Sequence, residues 1–204
     1  MKYDAREHWE GIYQTKNPNE LSWYQEKPQI SLNLIVEANL DKDSMIIDIG
    51  AGDSRLVDNL LDAGYRNITV LDVSSEALEK AKKRLENRAD TIKWVISDIR
   101  EFETSDRYDL WHDRALLHFL TKEGDINKYV DSVNRFLKLP GYLIISTFSV
   151  KGPKKCSGLD VRQYSEDSME RLFSNFERIK SFEEEHVTPW GTGQIFIYNL
   201  FRRK

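Results

Sequence analysis

Asp48, Gly50 and Gly52 close an apolar run that begins at residue 45, and a second apolar run closes on Asp72. Glycines at the end of a first strand let the backbone approach a ligand closely. An acid about 20 positions further on, at the end of a second strand, can accept both hydroxyls of a ribose. Together they predict a nucleoside cofactor. Two later runs also end in groups able to do chemistry, Ser97-Asp98-Ile99 and Trp111-His112-Asp113-Arg114. Imidazole titrates nearest neutrality, so His112, with Asp113 beside it, is a candidate to hold or deprotonate an acceptor.

A nicotinamide dinucleotide would need more. Its fingerprint places a further glycine in the following helix to seat a pyrophosphate on the helix N-terminus. Arg55 and Leu56 stand there instead. The Asp48 carboxylate would also repel a diphosphate, whereas it suits a cationic amino group.

The spacing of apolar residues predicts the elements that position these groups. Two helical pieces, residues 4–13 and 30–40, flank a polar turn. Strands follow at 44–49, 68–73, 92–97, 108–112 and 142–147. Helices lie between them, one capped by Asp53 or Ser54, one capped by Ser74 or Ser75, and one over 127–137. Alternating strands and helices imply a parallel sheet with helices on both faces. Residues 149–164 read as a surface loop and 165–173 as a short helix. Strands at 176–182 and 194–201 are joined by too little chain for a parallel crossover, so they must be antiparallel.

This arrangement resembles the class I S-adenosylmethionine-dependent methyltransferases along nearly the whole chain. The resemblance rests on Asp48-Ile49-Gly50-Ala51-Gly52, on Asp72, on Ser97-Asp98-Ile99, and on Tyr108 through Asp113. It implies a Rossmann-like, seven-stranded, mostly parallel α/β sheet with a C-terminal antiparallel hairpin. The implied cofactor is S-adenosylmethionine, with S-adenosylhomocysteine as product. Asp48 is then expected to bond through its own loop to the methionine amino group, Gly50 and Gly52 to allow close approach, Asp72 and Val73 to meet the ribose, and Asp98 and Ile99 the adenine. Ser54 replaces a frequent third glycine, and Leu139-Pro140-Gly141 replaces a Pro-Gly-Gly. The whole chain, 1–204, is expected to be one domain, with a helical lid at 1–40, a cofactor core at 44–148, and an acceptor loop, helix and hairpin at 149–204.

Trp23 is expected beside the cofactor and Tyr24 beside the acceptor, with Trp9 and Tyr13 packing the lid. Arg114, Cys156 and His186 are further candidates for the acceptor site, Cys156 with a thiol made more acidic by the adjacent Lys154 and Lys155. His118 reads as a core or rim histidine. Asp113-Arg114-Ala115 looks like a variant of the Asp-Lys-Gly of branches that methylate protein lysines, and thiopurine- and tellurite-type branches carry related tripeptides. The acceptor is expected to be a small thiol, chalcogen, nitrogen or oxygen compound. A protein lysine is the alternative, and a non-catalytic cofactor-binding regulator a further one.

Composition narrows the partners. Formal net charge is −4, which with the absence of an Asn-Pro-Pro-Tyr-type motif speaks against nucleic acid. Apolar runs are too short to span a bilayer. With one cysteine and no apolar N-terminal segment, a reducing cytoplasm is expected. No spacing of His, Cys and carboxylates predicts a metal site.

Overall fold

The computed structural model describes residues 4–204. In chain order the elements are α1 (Ala5–Thr15), α2 (Gln29–Glu37), β1 (Met45–Ile49), α3 (Leu56–Asp62), β2 (Asn67–Asp72), α4 (Ser75–Leu85), β3 (Lys93–Ile96), β4 (Tyr108–Arg114), α5 (Glu123–Phe136), β5 (Leu137–Phe148), β6 (Lys155–Cys156), β7 (Leu159–Asp160), α6 (Glu166–Leu172), β8 (Phe176–Val187) and β9 (Gly193–Arg203). Seven strands form one sheet in the order β3-β2-β1-β4-β5-β9-β8. The pairs among β1 to β5 are parallel, and β9 runs antiparallel to both of its neighbours. This is the expected Rossmann-like sheet with its terminal hairpin.

Side chains on a strand alternate between faces, and this divides the core in two. Ile46, Val70, Leu110, Ile144 and Leu200 pack with α2, α3 and α4 on one face. Ile47, Leu71, Trp111, Leu143, Ile145 and Phe201 pack with α5 and α6 on the other. A fully buried aliphatic side chain contributes about 1.5–3 kcal/mol. These two rows can therefore carry a few polar residues, provided each polar atom keeps a partner.

Such polar insertions lie on both faces. Asp48 and His112 share the α2 face, where Asp48 Oδ1 lies 2.7 Å from His112 Nδ1 and Ser31 Oγ lies 2.9 Å from His112 Nε2. Asp113 is one residue on and therefore faces α5. Its carboxylate accepts hydrogen bonds from the Tyr129 hydroxyl at 2.7 Å and from Leu116 N at 2.8 Å, while Trp111 Nε1 donates to Tyr129 at 3.2 Å.

Several local expectations are revised. Strand β4 runs two residues further than its apolar run, because Asp113 and Arg114 continue the ladder with Ile145 and Ser146 of β5. Helix α5 begins at Glu123, before the apolar spacing begins, with Glu123 and Asp125 in its first turn, where acids favour a helix start. Ser74 caps α4, accepting from Ala77 N. Arg55, rather than Asp53 or Ser54, stands at the N-cap of α3. Residues 149–164 are not a plain surface loop; they include the β6–β7 ladder, in which Cys156 pairs with Leu159 and is buried. No helix among the described residues is long and apolar enough to cross a membrane.

Tyr129→Phe tests the polar cluster on the α5 face. Removing the hydroxyl leaves Trp111 Nε1 unpaired in the core and takes from Asp113 Oδ2 its shorter hydrogen bond, only that from Leu117 N remaining, at a cost of about 1–3 kcal/mol. A urea midpoint unchanged from wild type would refute this.

Candidate active site

A cavity of about 280 Å³ opens at the carboxyl ends of the strands, the usual ligand position in a doubly wound sheet. Sheet order lays its lining out in sequence. At the β2–β3 end lie Asp72, Val73, Ser97, Asp98 and Ile99, in the middle Gly50 and Arg114 to Leu116, and at the β5–β9 end Phe148, Gln194 and Phe196.

Asp72 sits at the tip of β2. Gly52 N donates to its Oδ2 at 2.7 Å and Ser74 N to its Oδ1 at 2.8 Å. Burial pushes its carboxyl up to about 6, against the opposing effect of these backbone donors. Gly50 and Gly52 both hold positive φ, and a Cβ on either would collide, at Gly50 with Leu116 and at Gly52 with the Tyr13 hydroxyl. Glycine is required at both positions for conformation as well as for space.

Asp98 grips Arg100 through Nε at 2.8 Å and Nη2 at 2.5 Å, and Arg100 also reaches Asp125 at 3.4 Å. Burial would raise the Asp98 carboxyl, but the hydrogen bonds and charge of Arg100 outweigh it and hold it below the usual range. Ile99 supplies an apolar wall next to this pair. Across the middle, Ala115 adopts a left-handed φ of 78°, a strained choice for a residue with a Cβ. Asp113 holds that turn by accepting from Leu116 N and Leu117 N.

The N-terminal segment covers the cavity and is tied down at several points. Glu10 of α1 accepts from Ser74 Oγ, from Ser75 N and Oγ, and from Glu76 N, at 2.7–3.0 Å. This carboxylate stands at the N-terminus of α4, where unpaired backbone N–H groups and the helix dipole favour negative charge. Arg114 Nη2 donates to Trp23 O at 2.8 Å. The His186 Nε2 atom lies 2.6 Å from Ser22 O, and its Nδ1 lies 3.4 Å from Gln25 Nε2. Nε2 must then carry the proton, and burial lowers the imidazole's pKa.

The structure brings Gly50, Asp72, Val73, Asp98, Ile99, Trp23, Arg114 and Cys156 together around the cavity. It does not bring Asp48, His112, Asp113, Tyr24 or His186 there. Asp48 is turned beneath the sheet to His112, so its carboxylate does not line the cavity. His112 and Asp113 cannot both face one site, because they are adjacent on a strand, and each is committed to core partners on its own face. Tyr24 points to Glu26, which pairs with Arg55. His186 anchors the lid. Burial raises the Cys156 thiol, reversing the expected acidification; its neighbours are the Ser22 and Ser157 hydroxyls, each at 3.8 Å.

Tyr13 and Trp9, expected only to pack, line the cavity, as do His118 and Gln194. Trp23 packs edge-on to Tyr13, with ring centroids 6.3 Å apart. Glu10 had no motif to mark it; its one sequence signal was an acid in an amphipathic helix. The lid's residues 1–3 lie outside the described residues.

The cavity fits S-adenosylmethionine by the character of its lining. A buried acid can accept ribose hydroxyls, an apolar wall beside Asp98 can meet a flat base, and Gly50 contributes backbone to the lining between β1 and β4. Glu10→Ala should loosen α1 without touching this lining. Hydrogen exchange over 5–15 and 74–77 should quicken, and S-adenosylhomocysteine should bind several-fold more weakly. Unchanged exchange at both segments would remove Glu10 as the lid's anchor.

The model of the methyltransferase domain family matches residues 40–191. The mouse (Mus musculus) eEF1A lysine and N-terminal methyltransferase is 23% identical over 196 residues, covering 92% of this chain and 28% of that protein. The chain thus spans little more than a quarter of that relative's length. Among solved structures, one from work on the conversion of a disulfide bond into a thioacetal group during echinomycin biosynthesis superposes with a TM-score of 0.78 at 18% identity, covering 98% of this chain and 93% of the other. The N-methyltransferase NodS of Bradyrhizobium japonicum WM9, in complex with S-adenosylhomocysteine, gives 0.72 at 16% identity, covering 96% and 98%. With the family model matched over most of its length, the chain belongs to the methyltransferase domain family, as an S-adenosylmethionine-dependent methyltransferase of class I.

Proposed function

We propose that this methyltransferase acts on a small-molecule acceptor rather than on a protein lysine. The observation that carries this reading is the charge of the acceptor half of the cavity. Asp72, Asp98 and Asp125, the carboxylates in the lining, belong to the β2–β3 half or to the ion pairs of Arg100. The half between β4 and β9 carries the Arg114 cation and otherwise Ser22, Trp23, His118, Phe148, Cys156, Gln194 and Phe196. A lysine ammonium would meet repulsion there and would find no carboxylate to steady it or take its proton. The relatives named for eEF1A lysine methylation favour the second reading, but they share only part of their length with this chain.

The cofactor, when bound, supplies a methyl group already activated on a cationic sulfur. The protein's part is then to bind, orient and exclude water. In this reading Asp72 accepts the ribose hydroxyls, Val73 and Ile99 flank the nucleoside, and Asp98 meets the base edge. Gly50 and Gly52 permit close approach of the loop. Trp9, Tyr13 and Trp23 close the mouth against water. Arg114 holds the lid through Trp23 O. His112 and Asp113 act as positioning residues beneath the loop, and an acceptor with a free lone pair needs no proton removed.

Incubation with lysate and isotopically labelled cofactor tests the acceptor class. Label should appear in the low-mass fraction; label confined to macromolecules would establish the protein acceptor instead. Asp72 makes a second test. A ribose ligand favours the ionised carboxylate, and in the free protein this group takes up its proton near pH 6. Binding must therefore weaken as pH falls through that value, with S-adenosylhomocysteine about tenfold weaker at pH 5 than at pH 8. Asp72→Asn should bind weakly at both. A wild-type affinity constant across this range would take Asp72 away from the ribose.

A further inference from the structure

His118 is fully buried, lines the cavity, and has no charged partner among the described residues. Its ring stacks on Phe148, with centroids 4.4 Å apart and planes 5° from parallel. Phe148 N donates to its Nδ1 at 3.2 Å. That bond decides the tautomer: Nδ1 is the acceptor, so Nε2 carries the hydrogen. Burial pushes the imidazole down to about 3, so the ring stays neutral. Nε2 has no partner among the described residues. A buried N–H without an acceptor is unusual and costly, and His118 is one of the residues that line the cavity.

Gln194 presents the complementary group. Its side-chain oxygen is also buried without a partner, and the residue lines the same end of the cavity. Gln194 lies two residues before Phe196 on β9 and so shares its face. Phe196 in turn lies 4.6 Å from Phe148 and 6.3 Å from His118, centroid to centroid. The walls around them are flat and apolar, with Phe119 4.5 Å from His118 and Trp9 4.9 Å from Phe119. A neutral donor and a neutral acceptor, both buried and without partners among the described residues, thus belong to two residues that line one aromatic slot.

We propose that His118 Nε2–H and the Gln194 carbonyl are the recognition pair of the acceptor site, and that they select an uncharged planar molecule with a hydrogen-bond acceptor beside a donor, such as a cyclic amide or an amide-bearing nitrogen heterocycle. This rests on the small-molecule reading above and narrows it. His118 is a donor only; it positions the acceptor and takes no proton from it. A purely hydrocarbon acceptor leaves both groups unpaired and an ammonium leaves the His118 donor unpaired, and site groups left unpaired in this way discriminate strongly against such ligands.

The test uses the full chain saturated with S-adenosylhomocysteine, with histidine labelled by nitrogen-15. The probes are 2-quinolinone and nicotinamide, set against naphthalene and 2-naphthoate. At least one of the two amides should shift the His118 Nε2–H resonance and bind at least tenfold more tightly than naphthalene. His118→Asn keeps an acceptor for Phe148 N but lacks the far donor, and should lose that preference while binding S-adenosylhomocysteine as before. His118→Gln, which returns a donor near Nε2, should restore part of it. The pair is overturned if neither amide moves the resonance, if naphthalene binds as well, or if 2-naphthoate binds best, since Arg114 would then read the substrate. Failure of the small-molecule reading shows separately, as macromolecular label in the lysate experiment. Low-mass label equal in wild type and His118→Asn would overturn the pair alone.

Discussion

The alternation of side chains along β1 and β4 constrains everything else at this site. Asp48 and His112 are register partners on neighbouring strands, so they must meet on one face. Asp113, one residue later, must point to the other. Each face then meets its own need, with Ser31 of α2 completing one cluster and Tyr129 of α5 the other. These clusters sit just under the loops that line the cavity. Buried charge of this kind is tolerated only when hydrogen-bonded, so the partners lock the ends of β1 and β4 in place. The glycine loop after β1 and the strained Ala115 turn after β4 rest on that support.

The cavity is consequently built from backbone and from residues just beyond the strands. Asp72 reaches it because it is the last residue of β2, gathered by Gly52 N and Ser74 N. Asp98 and Ile99 reach it because they follow β3. The lid completes the enclosure through polar contacts scattered over distant elements: Glu10 on the start of α4, Trp23 O on Arg114, Ser22 O on His186. Two of these use lid backbone atoms, so the lid's path matters there more than its side-chain identities.

Much of this was legible in the chain. The parallel sheet, its antiparallel finish and a serine cap on α4 at Ser74 or Ser75 all follow from local pattern, as does the expectation that Asp72 and Asp98 stand at strand ends. The departures have a common cause. Chemical type and nearness to a motif single out His112, Asp113, Tyr24 and His186, and neither reveals which face a side chain occupies; none of the four lines the cavity. Cys156 was judged by its lysine neighbours in sequence, yet burial dominates its environment. Trp9 and Tyr13 were assigned to packing, though packing here means roofing the cavity. Nothing local to Glu10, His118 or Gln194 in the chain reveals what each one meets in the fold.

The amino-acid sequence by itself determined the class of the protein, because periodicity and glycine-acid spacing are short-range properties that survive without a fold. It determined the kind of cofactor for the same reason, since the binding loop is nearly continuous in the chain. Only the tertiary structure decided which polar residues support and which line the cavity. It alone brought Phe148, Gln194 and His118 to one place from three separate segments. Burial, hydrogen-bond partnership and tautomer are properties of that meeting, and no stretch of chain contains them.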